Sequence, residues 1–208
     1  MSEFDEDERF TTPFTRKDGS VATVFSSAKQ KTVNRHFKWM NDYNIDGVFV
    51  QRFAVNINQN VTPKLKANED VVINNCINGA INNNNKLISI MYDITGTNSN
   101  NVVDNVKNDW KELVEKHQLN DSNNPYILTY KQKPIVAIWG VGFLDREYTL
   151  DNIQELVNFF KHDPVYGGCS VLLGVPSRWR TLDGDALTNT QLHNLIKCLL
   201  TLLECVTL

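Results

Sequence analysis

Four short apolar runs alternate with amphipathic stretches along the chain, and this alternation restricts the fold more than any other feature. The runs begin near residues 47, 87, 134 and 169. The run Ile135–Ile138 is unbroken, rich in β-branched side chains and too short for a surface helix, which is typical of a parallel strand buried on both faces. Strands that alternate with amphipathic helices predict βα units and a parallel sheet.

Apolar residues at helical or strand spacing give the approximate bounds of each element. The predicted strands are Val21–Phe25, Gly47–Phe53, Leu87–Tyr92, Ile135–Ile138 and Cys169–Val175. The predicted helices are Thr32–Tyr43, Glu69–Asn82, Val102–His117 and one from a cap at Thr149 or Asp151 to Phe160. We expect an acidic lead-in without periodicity at Met1–Phe14 and a leucine-rich helix at Thr190–Val206.

The strand ends carry no GxGxxG or P-loop motif, which counts against a nucleotide-binding doubly wound fold. A (β/α) barrel fits better, although a complete one needs about 250 residues and the chain has 208. The sequence therefore predicts the α/β class and a partial (β/α) TIM-type barrel of four to five βα units with a leucine-rich C-terminal helix. We expect one incomplete domain, with an extended lead-in (1–25), a core (26–185) and a helical tail (186–208).

Composition excludes several classes of protein. The net charge is −3 with both signs interspersed, so neither nucleic acid nor an anionic membrane is an expected partner. No apolar run has the length of a membrane span and the acidic start is not a signal peptide, so the sequence predicts a cytoplasmic protein. The four cysteines lack CxxC spacing and a histidine pattern, which indicates a reduced chain, and no metal or cofactor is predicted.

Polar and aromatic residues are interleaved where the predicted strands end. In barrel and doubly wound folds ligands bind at the carboxyl ends of the strands, and hydrogen-bonding groups beside aromatic rings are typical of sugar sites. The candidate substrate-binding residues are Gln51, Arg52, Tyr92, Asp93, Trp139, Trp179 and Arg180. No catalytic residue is predicted.

Each candidate also has a purely structural interpretation. Asp93 binds a sugar hydroxyl or caps the turn that follows its strand. The two arginines hold hydroxyls or acidic sugars, or else they pair with Asp93 or Glu147 at the barrel mouth. The two tryptophans stack on a sugar or fill the end of the barrel.

Four longer stretches carry a resemblance to a known family. They are FSSAKQKTVNRHFKWMNDYNIDGVFVQRF (25–53), MYDITG (91–96), KPIVAIWGVGF (133–143) and DPVYGGCSVLLGVPSRWRTLD (163–183). In this order they resemble the glycoside hydrolase family 99 and 71-like barrel proteins, which include endo-α-mannosidases, α-1,3-glucanases and bacterial proteins labelled xylosidase/arabinosidase. The resemblance runs from about Glu3 to Asp185, and it implies a TIM-type fold that acts on α-linked glycans without a metal.

The chain departs from the family pattern at both ends. Family members have a further strand ahead of Met1–Phe14, and they continue beyond VPSRWR into the part that holds the two catalytic carboxylates of family 99. Glycoside hydrolysis needs such a pair of carboxylates, so we expect a glycoside hydrolase-like domain without independent activity. The alternatives are a non-catalytic carbohydrate-binding remnant and a truncated product with no function of its own.

An incomplete barrel leaves sheet edges unpaired. We expect open edges at the strands near 47 and 169, with the lead-in or the leucine-rich tail covering part of them. The sequence therefore predicts self-association rather than a stable monomer.

Overall fold

The computed structural model describes residues 4–187 and a strand at 205–207, and it shows a mixed α/β fold. The strands of the described part are β1 (Arg9–Thr15), β2 (Val21–Phe25), β3 (Gly47–Phe53), β4 (Leu87–Asp93), β5 (Thr129–Tyr130), β6 (Lys133–Trp139), β7 (Ser170–Gly174) and β8 (Cys205–Thr207). Its α-helices are α1 (Gln30–Asp42), α2 (Pro63–Asn82), α3 (Val102–His117) and α4 (Leu150–His162).

The main sheet has five parallel strands in the order β3-β4-β6-β7-β8, and the short β5 pairs antiparallel with β6. The predicted alternation of strands and helices is confirmed. The predicted parallel pairing is also confirmed for β3, β4, β6 and β7, the strands that begin near residues 47, 87, 134 and 169. In the part of the chain that the structure describes, the sheet does not close into a barrel.

The two faces of this sheet have different surroundings because side chains alternate along each strand. Val50, Ile90, Ile138 and Leu173 lie on one face, where they form the core with apolar residues of all four helices. We call this the helix face. The opposite face carries Gln51, Asp93 and Trp139 among others, and we call it the open face because it lies outside the core formed with the four helices, although Ala137 and Leu172 on it are also buried.

The helices begin where local chemistry favours it. Pro63 occupies the first turn of α2, where its missing N–H costs no hydrogen bond, so α2 starts six residues before the predicted Glu69. Thr149 caps α4, and its hydroxyl accepts a hydrogen bond from the Asn152 backbone N–H at 3.3 Å. The bounds of α3 agree with the prediction.

The predicted extended lead-in contains an antiparallel hairpin, β1–β2, that is anchored on α1. The Arg35 Nη2 donates to Glu8 Oε2 at 2.6 Å, and the Thr32 hydroxyl donates to Glu8 Oε1 at 3.2 Å. The Phe4 ring contacts Trp39 edge to face at 5.7 Å between centroids. The hairpin is therefore anchored on a helix, and none of these contacts involves an edge of the main sheet.

One predicted open edge is paired. Backbone hydrogen bonds join β8 to β7 in parallel, so the edge that was expected to be open near residue 169 is paired. Because β8 is a strand, the predicted helix that reaches Val206 is wrong at residues 205–206. The rest of that predicted helix and most of the tail (188–204) lie outside the described residues. The outer edge of β3 pairs with no other strand of the described part.

Candidate functional site

The carboxyl ends of four parallel strands form one edge of the sheet. Their register places Phe53, Asp93, Trp139 and Gly174 side by side on the open face, one from each of β3, β4, β6 and β7. Two of the predicted candidate residues, Asp93 and Trp139, are therefore direct neighbours on adjacent strands. We call this row, together with Gln51, the strand-end site.

Asp93 is the acidic group of this site. It is 7% exposed, and its carboxylate accepts hydrogen bonds from Gln51 Nε2 at 2.8 Å and from the Thr95 backbone N–H at 3.0 Å. The bond from Thr95 is the turn cap that the structural interpretation of Asp93 predicts. The bond from Gln51 joins two of the predicted site residues and holds both side chains in a fixed orientation.

Trp139 offers the aromatic surface of the site. Its side chain is large and 37% exposed, which is unusual for a tryptophan at the end of a buried strand. The indole lies against Gly174, because a Cβ atom there would come within 2.1 Å of Trp139 Cε3. A glycine at position 174 is thus required for the observed position of the ring.

The glycine-rich loop after β6 closes one side of the site. Gly140 and Gly142 have φ angles of 108° and 85°, a region that favours glycine. The Tyr148 hydroxyl donates to the Gly140 carbonyl, and burial raises the pKa of this hydroxyl above its ordinary value. The Leu187 backbone N–H donates to the Gly142 carbonyl at 2.8 Å, so the loop after β7 is tied to the same edge.

Trp179 and Arg180 lie together in the loop after β7. The Arg180 guanidinium lies over the Trp179 ring, 4.6 Å from its centroid, and the ring itself packs partly against the core. One face of Trp179 is therefore already covered by a cation. Among the described residues, neither side chain makes a hydrogen bond or ring contact with Asp93 or Trp139.

Arg52 and Tyr92 lie on the helix face, across the sheet from Asp93. The buried Arg52 donates from Nε to Asp109 Oδ2 at 2.9 Å and from Nη2 to Asp70 Oδ1 at 2.8 Å. The Tyr92 hydroxyl donates to Asp109 Oδ2 at 2.8 Å. The partners of Arg52 are therefore Asp109 and Asp70, rather than the expected Asp93 or Glu147.

This buried network ties the sheet to two helices. Burial alone would lower the pKa of Arg52, but the Asp109 carboxylate raises it above its ordinary value, so the guanidinium stays charged. Asp70 also accepts from Lys66 Nζ at 3.0 Å, which links the pair to a second cation on α2. A sequence gives no sign of the Asp109 contact, because the two partners are 57 residues apart.

A polar cleft of about 530 Å³ lies beside the network, between residues 57–60 and α3. Amides and carboxylates line most of it, including Asn58, Asn105 and Glu112, and no aromatic ring among the described residues contributes to its wall. Sugar stacking needs an exposed aromatic face, so the strand-end site is the better candidate for a sugar.

Three acidic groups at the start of the hairpin lie close enough to share a metal ion: Asp5, Asp7 and Glu8. Each of the three forms an ion pair with Lys31 or Arg35, with N–O distances between 2.6 and 3.1 Å. Hydrogen bonds from Arg35 lower the pKa of Glu8 to about 2. The cluster thus acts as the anchor of the hairpin on α1.

Comparison with models of protein families, with curated proteins and with solved structures finds no match for this chain. The resemblance to glycoside hydrolase families 99 and 71 stays a prediction. Among the described residues, no helix is both long and apolar enough to cross a membrane.

Proposed function

We propose that this chain is a glycoside hydrolase-like, carbohydrate-binding domain whose sugar site is the strand-end site. The observation that carries the proposal is the position of Trp139 beside Asp93, an exposed indole next to an oriented carboxylate. An indole face packs against the C–H groups of a sugar ring. The carboxylate accepts hydrogen bonds from the sugar hydroxyls, and the Gln51 amide can donate to them or accept from them.

The order of the strands supports a partial (β/α) barrel as part of this proposal. In a doubly wound sheet the strand order reverses at a switch point, and helices cover both faces. Here the parallel strands follow each other in chain order, and the four described helices pack on the helix face. That arrangement is the one from which (β/α) barrels are built, with the open face on the inside.

We propose further that this part of the chain does not hydrolyse glycosides by itself. Hydrolysis through an oxocarbenium-like transition state uses two carboxyl groups on either side of the scissile bond. Of the four open-face residues at the ends of β3, β4, β6 and β7, only Asp93 is acidic. Both of its oxygens already accept hydrogen bonds within the protein.

Calorimetry with α-linked manno- and gluco-oligosaccharides, paired with an assay for released reducing ends, tests the proposal. A site with one aromatic face and few polar groups should bind with a Kd on the order of millimolar. The substitution Trp139→Ala should weaken binding about tenfold, whereas Trp39→Ala on α1 should not. Sugar binding that is unaffected by Trp139→Ala, or turnover that disappears in Asp93→Asn, contradicts the proposal.

A further inference from the structure

Arg146 lies in the loop between β6 and α4, at the carboxyl edge of the sheet. Its guanidinium is stacked on Phe143, 5.0 Å from the ring centroid. The next residue is fixed to the loop after β4, since the Ser99 backbone N–H donates to the Glu147 carbonyl at 3.2 Å. The arginine is therefore held between two loops that border the strand-end site.

The described residues give this arginine few hydrogen bonds, one of them to the Tyr148 hydroxyl. The side chain is 14% exposed, and its buried Nε has no hydrogen-bond partner among the described residues. Nη1 donates to Asp145 Oδ1 at 2.6 Å, and that aspartate is 77% exposed. An exposed pair between sequence neighbours is weak and easily exchanged, so Asp145 can give way to another anion.

Tyr148 connects Arg146 with the strand-end site. A Cβ atom at Gly140 would lie 3.2 Å from the Tyr148 oxygen and 3.6 Å from Thr95 Oγ1, so this hydroxyl lies where β4 and β6 end. Burial is the main cause of the raised pKa of this hydroxyl, the charge and hydrogen bond of Arg146 lower that pKa, and the negative charge of Asp93 raises it. A cation and an anion thus lie near the same buried group.

We propose that Arg146 is a specificity-determining residue that binds the carboxylate of an acidic sugar, such as a uronic acid unit, at this edge. The inference rests on the proposed sugar site and adds the class of sugar to it. A guanidinium presents parallel N–H groups that fit the two oxygens of a carboxylate. Asp93 repels the same group, so the acid is oriented toward Arg146 and the neutral hydroxyls toward Asp93.

The test compares two oligosaccharides that differ only in the acid group, a galacturonan and the corresponding neutral galactan fragment. Calorimetry with the purified chain should give about tenfold tighter binding of the acidic sugar. Arg146→Gln should abolish that preference without changing the affinity for the neutral sugar. Asp145→Asn should strengthen binding of the acidic sugar, because it removes the competing anion.

Two further variants make the result specific. Arg146→Lys keeps the positive charge but lacks the planar guanidinium, so it should retain only part of the preference for the acidic sugar. If Arg146→Gln does not fold, Arg146→Lys takes its place in the test. Arg16→Gln changes the same charge in the turn of the exposed hairpin and should leave the preference intact. A preference that is absent in the natural chain, unchanged in Arg146→Gln and Arg146→Lys, or lost in Arg16→Gln overturns the inference.

The outcome also separates this inference from the proposed function. If both sugars bind equally and Trp139→Ala weakens both, the sugar site stands and the role of Arg146 is wrong. If neither sugar binds, the proposed function and this inference are both overturned.

Discussion

Asp93 and Trp139 are neighbours on adjacent parallel strands, at the point where both strands end. The carboxylate is buried and doubly hydrogen-bonded, while the indole is more than one-third exposed. The sheet thus presents an oriented acceptor beside a flat apolar surface. This pair is the basis of the proposed sugar site, and the predictions below test the structure around it.

The contact between Gly174 and Trp139 should be visible in a double-mutant cycle. The three nearest atoms to a Cβ at position 174 all belong to Trp139, so Gly174→Ala should displace the indole and cost about 1–3 kcal/mol in unfolding free energy. In the Trp139→Ala background the same change should cost much less, because the clash is gone. Equal costs in both backgrounds, measured by urea unfolding, would show that the ring is not where the structure places it.

Removal of the buried cation on the helix face should affect stability rather than binding. Arg52→Met leaves Asp109 buried without its bidentate partner, which should cost about 3–5 kcal/mol. The matched change Lys38→Met in the exposed pair with Asp42 should cost less than about 1 kcal/mol. If Arg52→Met remains as stable as Lys38→Met but loses sugar affinity, then Arg52 belongs to the binding site as the sequence first suggested.

Acid should loosen the hairpin through Glu8. Its folded pKa, about 2, lies below the ordinary value of 4.5, so its contribution to stability is complete above about pH 4.5 and disappears as the pH falls toward 2. Trp39 contacts Phe4 of this segment, and its fluorescence should follow the loosening over that range. In Glu8→Gln the segment should be loosened already at neutral pH, whereas Glu6→Gln, an exposed neighbour in the same turn, should behave like the natural chain.

The unpaired edge of β3 should cause self-association. Phe53 is 40% exposed on this strand, beside an edge that is not paired within the described residues. Light scattering should therefore show oligomers of the natural chain, and the oligomeric fraction should be smaller for Phe53→Lys. The same substitution at Phe14, which is 71% exposed on the hairpin, is the control and should have no effect. A monomer whose unfolding does not depend on concentration would contradict this prediction.

Much of the fold follows from periodicity in the sequence. The bounds of α3 agree because its apolar stripe coincides with the buried face, which includes Val106, Trp110 and Leu113. The strand β1 could not be predicted, since six of its seven residues are exposed and show no alternation. The contact that anchors it joins Glu8 to Arg35, which is 27 residues away, and such a distant pair leaves no local pattern.

The sequence groups seven candidate residues at one sheet edge, and the structure separates some of them for a physical reason. Gln51 and Arg52 are adjacent on a strand, as are Tyr92 and Asp93, so the two members of each pair must face opposite sides of the sheet. Alternation alone could have placed Arg52 and Tyr92 together on the face away from Asp93. Arg146 lies in an irregular loop, where no period indicates which way a side chain points.

The most direct test of the central claim is a two-dimensional NMR titration of the four tryptophan indole N–H signals with an α-linked oligosaccharide. The signal that is missing in Trp139→Ala should shift most. Trp110 is 1% exposed and donates from Nε1 to the Tyr166 carbonyl at 2.8 Å, so its signal should stay in place. Saturable shifts that are largest at Trp139 and smaller at Trp179 are the predicted result. Binding that leaves the Trp139 signal unmoved, or no shift at tens of millimolar sugar, would contradict a sugar site at this edge.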